Sequence, residues 1–129
     1  MTLKPSSLLL IYRGAFIAAL AFTTFMALID LSKLPLQIDM WDKLQHATVF
    51  IVLSFLLDRS FPCYPSRRTL HPAQPLFLLG YGIAIEWMQS FTPYREASVY
   101  DVLADAIGLL AYWLHYFKYH SRKKMQDVV

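Results

Sequence analysis

Charge is scarce in this sequence: Asp, Glu, Lys and Arg make up 16% of 129 residues, where a soluble domain carries about 25%. Cysteine is scarcer still. Cys63 stands alone, so no internal disulfide can form, and one thiol says little about compartment. There is no internal repeat, no low-complexity tract and no glycine loop that could cradle phosphates. The sequence has apolar mass instead, 57% hydrophobic and 16% aromatic, gathered into four long blocks and not spread at helix or strand period. One domain fits this length, and the pattern says membrane protein. The formal net charge of +3 sits between and after the blocks. A cationic cytoplasmic rim accounts for it better than nucleic-acid binding does.

The first block, Leu8 to Ile29, has Arg13 near its start, where the guanidinium can snorkel to headgroups beside Tyr12. Lys4 and the run Ala19-Leu20-Ala21 imitate a secretory signal. The apolar run from Arg13 to Ala19 is too short for such a signal's core, however, and it continues unbroken to Ile29. We read an uncleaved transmembrane helix. Residues 30–40, with Pro35, read as an irregular connector. The second block, Trp41 to Leu57, is short for a span of about 20 residues. Bilayer thinning or interfacial placement of Trp41 to Lys43 would make up the difference. Residues 58–74 hold Pro62, Pro65 and Pro72 with Arg59, Arg67 and Arg68, and read as a basic loop. The third block is Pro75 to Phe91 and the fourth is Asp101 to Phe117, followed by a basic tail over 118–129. The expectation is an all-α integral membrane protein, a four-helix transmembrane bundle with short spans.

Four spans put both termini on one side. That side holds Lys4, Arg13, Arg59, Arg67, Arg68, Lys118, Arg122, Lys123 and Lys124, against Lys33, Lys43 and Arg95 on the other. The positive-inside rule therefore places both termini in the cytoplasm. In that topology the intramembrane polar groups converge. His46 lies about a turn inside the outer end of block two, and Glu86 lies roughly 8 Å in from Phe91 at 1.5 Å per residue. Asp105 sits one turn below Asp101 at the start of block four. Asp42–His46 and Asp101–Asp105 are i,i+4 pairs and Glu86–Gln89 is i,i+3, so each pair shares a helix stripe. Gly108 continues the stripe of Asp101 and Asp105 and would let a neighbouring helix approach closely.

The segments DKLQH (42–46), EWMQ (86–89), PYREAS (93–98) and DVLADAIG (101–108) together resemble the VanZ-like family, in order and spacing from Asp42 to Leu110. These are small membrane proteins named after an accessory protein of teicoplanin resistance. The family pattern falls on Asp42, Lys43, His46, Glu86, Gln89, Arg95, Asp101 and Gly108. Asparagine commonly stands in the family where this chain has Asp105, so the chain carries an extra acid. The resemblance implies a multi-pass protein of the bacterial cytoplasmic (inner) membrane with an accessory role in envelope or glycopeptide tolerance. It does not supply a reaction.

The residues themselves leave bland and sharp roles open. Glu86 is either a helix-locking acid or a group that meets ligand. His46 is either a packed residue held by Asp42 or a general acid/base oriented by Asp42. Gln89 reads as a structural partner of Glu86 or the turn, besides a ligand contact. Arg95 and Lys43 are headgroup anchors or clamps for an anion, and Asp101 or Ser98 could cap block four. An outward-facing pocket binding an anionic lipid-linked or envelope ligand is the leading expectation, with Lys43, Gln89, Arg95, Asp101 and Asp105 lining it and membrane lipids around it. The alternative is a hydrolase or transferase acting on a lipid headgroup, with His46 and Glu86 as acid and base. No nucleophilic serine or cysteine is placed for it, although Ser90 and Ser98 are near. A metal on His46 with carboxylates from Glu86 and Asp101 or Asp105 is a variant of the enzyme reading, although no metal ligand is assigned. His71, His115 and His120 fall on the cytoplasmic side, which leaves His46 without the partner a bis-histidine haem needs. A proton path is disfavoured because Leu76 to Ile85 offers no acid, histidine, lysine or arginine.

Overall fold

Proline and serine set most of the helix ends. In a computed structural model, residues 5–30, 39–61, 73–93 and 97–126 are described, and among them the chain forms four α-helices and no strand. Helix α1 runs Pro5–Leu28, opening on a proline whose missing N–H would have had no intrahelical partner. Helix α2 runs Asp39–Ser60. It is 22 residues long, five more than the apolar block suggested: Asp39 and Met40 lie ahead of the block, and Asp58 to Ser60 extend it because only Pro62 forbids helix. Ser60 closes the last turn by donating its hydroxyl to the Leu56 carbonyl at 2.6 Å.

Helix α3 runs Ala73–Gln89 and tolerates Pro75 in its first turn, where no intrahelical N–H bond is lost. It ends two residues before the expected Phe91. There Phe91 N–H bonds Met88 O and Thr92 N–H bonds Gln89 O, tightening the chain into i→i+3 turns ahead of Pro93. Helix α4 runs Val99–Gln126. It starts two residues early because Ser98 is its cap: the Ser98 carbonyl accepts the N–H groups of Asp101 and Val102. It also continues nine residues past Phe117, since 118–126 holds no glycine or proline to stop it. The basic tail is therefore mostly helix.

Around the bundle the order is α1, α2, α4, α3, with α1 and α4 at opposite corners. The α2–α4 interface is the most extensive, and these two neighbours run parallel. Their core is Phe50, Leu53 and Leu57 against Leu109 and Trp113, joined by Phe16 of α1 and Leu78 of α3. Tyr81 ties α3 to α1 by donating to Leu20 O at 2.9 Å and meeting Thr24 Oγ1 at the same distance. At the far end Tyr112 donates to Asp58 Oδ2 at 3.1 Å, and Arg13 donates to Ser60 O at 3.2 Å. Four helices match the expected number of elements. By length and composition only α1, over Ser6–Leu28, qualifies as a membrane span among the described residues. Helix α3 has 17 residues, about 26 Å at 1.5 Å per residue, and α2 and α4 carry more charge. All four helices nonetheless expose large apolar side chains, among them Leu10, Ile17, Phe22, Leu44, Leu76, Trp87, Ile107 and Leu114.

Candidate functional site

Among the described residues the buried polar side chains fall into two sets. Ser54 and Ser60 spend their hydroxyls on carbonyls one turn back, Phe50 O and Leu56 O, and are structural. Glu86, Gln89, Asp101 and Asp105 gather at the end where α1 and α3 finish and α2 and α4 begin. The convergence expected from topology is there.

Glu86 reaches from α3 to the start of α4, where its Oε2 accepts the Ser98 backbone N–H at 2.7 Å. In a capping box that N–H is taken by the acid at the third helical position, here Asp101. Because Glu86 takes it from another helix, Asp101 is left to turn towards α2. The second oxygen, Glu86 Oε1, is buried and accepts no hydrogen bond among the described residues. The carboxylate also lies within electrostatic reach of Asp101, Asp105 and His46.

His46 Nδ1 meets Asp105 Oδ1 at 3.0 Å, joining α2 to α4. Asp42, expected to orient the ring, does not supply this bond: one turn earlier on α2 it reaches the imidazole only electrostatically. Asp105 does the orienting because α2 and α4 pack closely at Gly108. Gly108 makes that possible, since a Cβ there would overlap the Ala47 carbonyl. Asp105 is 1% exposed, and its second oxygen lies over Gly82, where an added Cβ would sit 2.5 Å away. That oxygen too accepts no hydrogen bond among the described residues.

Asp101 is 6% exposed and its Oδ1 stands 4.0 Å from Lys43 Nζ, the outer limit of an ion pair, with no hydrogen bond among the described residues. One ligating atom each from Asp42, His46 and Asp101 lie within 4.8 Å of one another. Gln89, 2% exposed, donates its amide to Ala27 O of α1 at 3.0 Å. It bonds neither Glu86 nor the turn through that group, and it works as a strut between α3 and α1. Arg95 lies outside the described residues.

The sequence reading missed Gly82 and the Ser98 N–H. The first had a signal: Gly82, Glu86 and Gln89 repeat on α3 the i, i+4, i+7 stripe that Asp101, Asp105 and Gly108 form on α4. Each stripe carries one glycine at an end, where a neighbouring helix comes close: α4 at Gly82 and α2 at Gly108. The second had none, because a backbone donor carries no sequence label.

A family model described as VanZ/LLP1 matches residues 6–120, which includes every residue of this cluster. No curated protein and no solved structure matches the chain.

Proposed function

The chain belongs to the VanZ/LLP1 family, and from that premise we propose that it is a multi-pass protein of the bacterial cytoplasmic membrane. Its polar end holds an anionic lipid-linked or envelope ligand. Family membership suggests an accessory role in resistance, and ligand capture is the form of that role the residues favour. The observation that carries this reading is the set of buried carboxylate oxygens, on Glu86, Asp101 and Asp105, without hydrogen bonds among the described residues. Such atoms each cost on the order of 1–3 kcal/mol, more when charged, so a fold keeps them where a ligand, ion or proton will meet them.

Two features support the membrane half of the reading. Large apolar side chains stand exposed on every helix, an arrangement that lipid tolerates and water penalises. One such surface is the open, mostly apolar face of α1 over Ala21, Thr24, Phe25, Leu28 and Ile29. The distribution of Lys and Arg favours termini in the cytoplasm and the cluster facing outward.

A second reading has two observations in its favour. The Asp105–His46 pair holds the imidazole as an acid/base dyad would, and Glu86 Oε1 accepts no hydrogen bond among the described residues. That reading is a hydrolase or transferase on a lipid headgroup.

Mass spectrometry of lipids co-purifying with the full chain tests both. Capture predicts an anionic lipid or lipid-linked precursor retained by the native chain and reduced at least fivefold by Lys43→Ala or Arg95→Ala. Chemistry predicts that Glu86→Gln retains the same lipid while turnover stops. Retention of neutral bilayer lipid alone, unchanged by any of the three substitutions, would sink the capture reading.

A further inference from the structure

We propose that Asp42, His46 and Asp101 bind one divalent transition cation, of the Mn²⁺ or Zn²⁺ class, with Asp105 as the positioning residue behind the imidazole. The proposal rests on the ligand-capture reading for its purpose and on geometry for its existence. An anionic ligand and an acidic cluster repel each other. The described part of the site holds four carboxyls, on Asp42, Glu86, Asp101 and Asp105, against Lys43. A metal ion resolves the conflict, since it satisfies the carboxylates and leaves coordination positions for phosphate or carboxylate oxygens of the ligand.

Three independent features converge on this. Asp42 and His46 lie one turn apart on α2 and Asp101 opens α4, with their ligating atoms within 4.8 Å of one another. A cation binding each at about 2.1 Å needs those atoms drawn in by about an ångström, which half-buried Asp42 and His46 can supply by small rotamer changes. The second feature lies behind the ring. His46 Nδ1 is held by Asp105 Oδ1 at 3.0 Å. That is the carboxylate–histidine arrangement that fixes the tautomer and leaves Nε2 as the metal donor. The third is Asp101 itself, 6% exposed, whose Oδ1 has no hydrogen-bond partner among the described residues. Lys43 Nζ stands 4.0 Å from that oxygen on a side chain 37% exposed, so it can swing aside when a stronger cation arrives. One nitrogen and two carboxylate oxygens suit Mn²⁺ or Zn²⁺ and are poor for soft ions.

The experiment uses the full chain in detergent, stripped with EDTA and then titrated with MnCl₂ by electron paramagnetic resonance and with ZnCl₂ by calorimetry. One ion per chain is expected, with a nitrogen hyperfine coupling from His46. Asp42→Asn, His46→Gln and Asp101→Asn should each weaken binding at least tenfold while the helical circular dichroism stays unchanged. Asp105→Asn should weaken it about 10–100-fold with the nitrogen coupling retained, a readout that a merely packing role would not move. No stoichiometric uptake by the native chain overturns the proposal, and so does uptake that survives both Asp42→Asn and His46→Gln.

Retention of phosphatidylglycerol, measured in EDTA and in Mn²⁺, separates this inference from the reading beneath it. Retention that rises tenfold with Mn²⁺ supports the bridge. Equal retention in both overturns the bridge and leaves capture standing. One bound ion with no anionic lipid retained sinks capture and leaves the metal site standing.

Discussion

Glu86 on α3 caps α4: its Oε2 accepts the backbone N–H of Ser98 at 2.7 Å, across a chain reversal of twelve residues. One carboxylate thus fixes where the fourth helix begins and how its first turn faces the second.

Glu86→Ala should therefore lower stability by about 1.5–3 kcal/mol, the range for a hydrogen bond to a charged group. Glu86→Gln, which keeps a carbonyl acceptor in the same place, should lose less than half of that. Thermal unfolding of both variants in one detergent checks it. Equal losses would show that charge, and not the cap, is what the position supplies.

Gly108→Ala should cost about 1–3 kcal/mol by forcing α2 away from α4, because the obstacle is the Ala47 backbone and cannot rotate out of the way. Gly80→Ala meets nothing within 4 Å and should stabilise α3 by up to about 1 kcal/mol. The contrast between two helical glycines is the measurement.

His46 and Asp105 should be energetically coupled. A double-mutant cycle with His46→Gln and Asp105→Asn is expected to give an interaction energy of about 0.5–3 kcal/mol, read from unfolding midpoints. Pairing His46→Gln with Asp42→Asn should give a smaller one, since Asp42 makes no hydrogen bond to the ring. The reverse order would restore the expectation drawn from i,i+4 spacing.

Gln89→Ala should cost about 1 kcal/mol and loosen α1 without a selective loss of ligand. The check is thermal unfolding and lipid retention of Gln89→Ala, measured side by side in a Cys63→Ser background. A variant of normal stability that releases bound lipid would return Gln89 to the ligand-contacting set.

In the same Cys63→Ser background, cysteine at Val99, 77% exposed at the polar end, should react with an impermeant maleimide in intact cells. Cysteine at Tyr119, exposed at the other end, should react only after permeabilisation. The opposite pattern would turn the cluster towards the cytoplasm.

Much of this was legible because helix position alone fixes depth. Block order put the ends of α1 and α3 with the starts of α2 and α4, so Glu86, His46, Asp101 and Asp105 had to share an end. Gly108 was readable for the same reason, as one more residue on a stripe. Azimuth was not readable. Spacing along α2 made Asp42 the natural neighbour of His46, yet the ring turns towards α4, because the close α2–α4 approach brings a buried acid nearer than its own helix does. Gln89 is structural as read, but its amide turns to a carbonyl on α1 for the same azimuthal reason. The ends of α2 and α4 were read short where the apolar run stopped, whereas the chain stays helical until a proline or a capped turn intervenes, as at Ser60 and Ser98; α3 was read two residues long, because its apolar run continues into the turn before Pro93.

Gly82 and Asp105 are a single steric unit divided between two helices, the acid filling the space that the missing side chain leaves. Their substitutions should therefore travel together through evolution. A relative with alanine at the position of Gly82 is expected to carry a shorter residue at the position of Asp105, and Gly82→Ala in this chain should be partly rescued by Asp105→Ser, with Phe50 Cζ still 3.0 Å from the added Cβ. Volume, exchanged across the α3–α4 seam, then becomes a second constraint on the acid beside its charge.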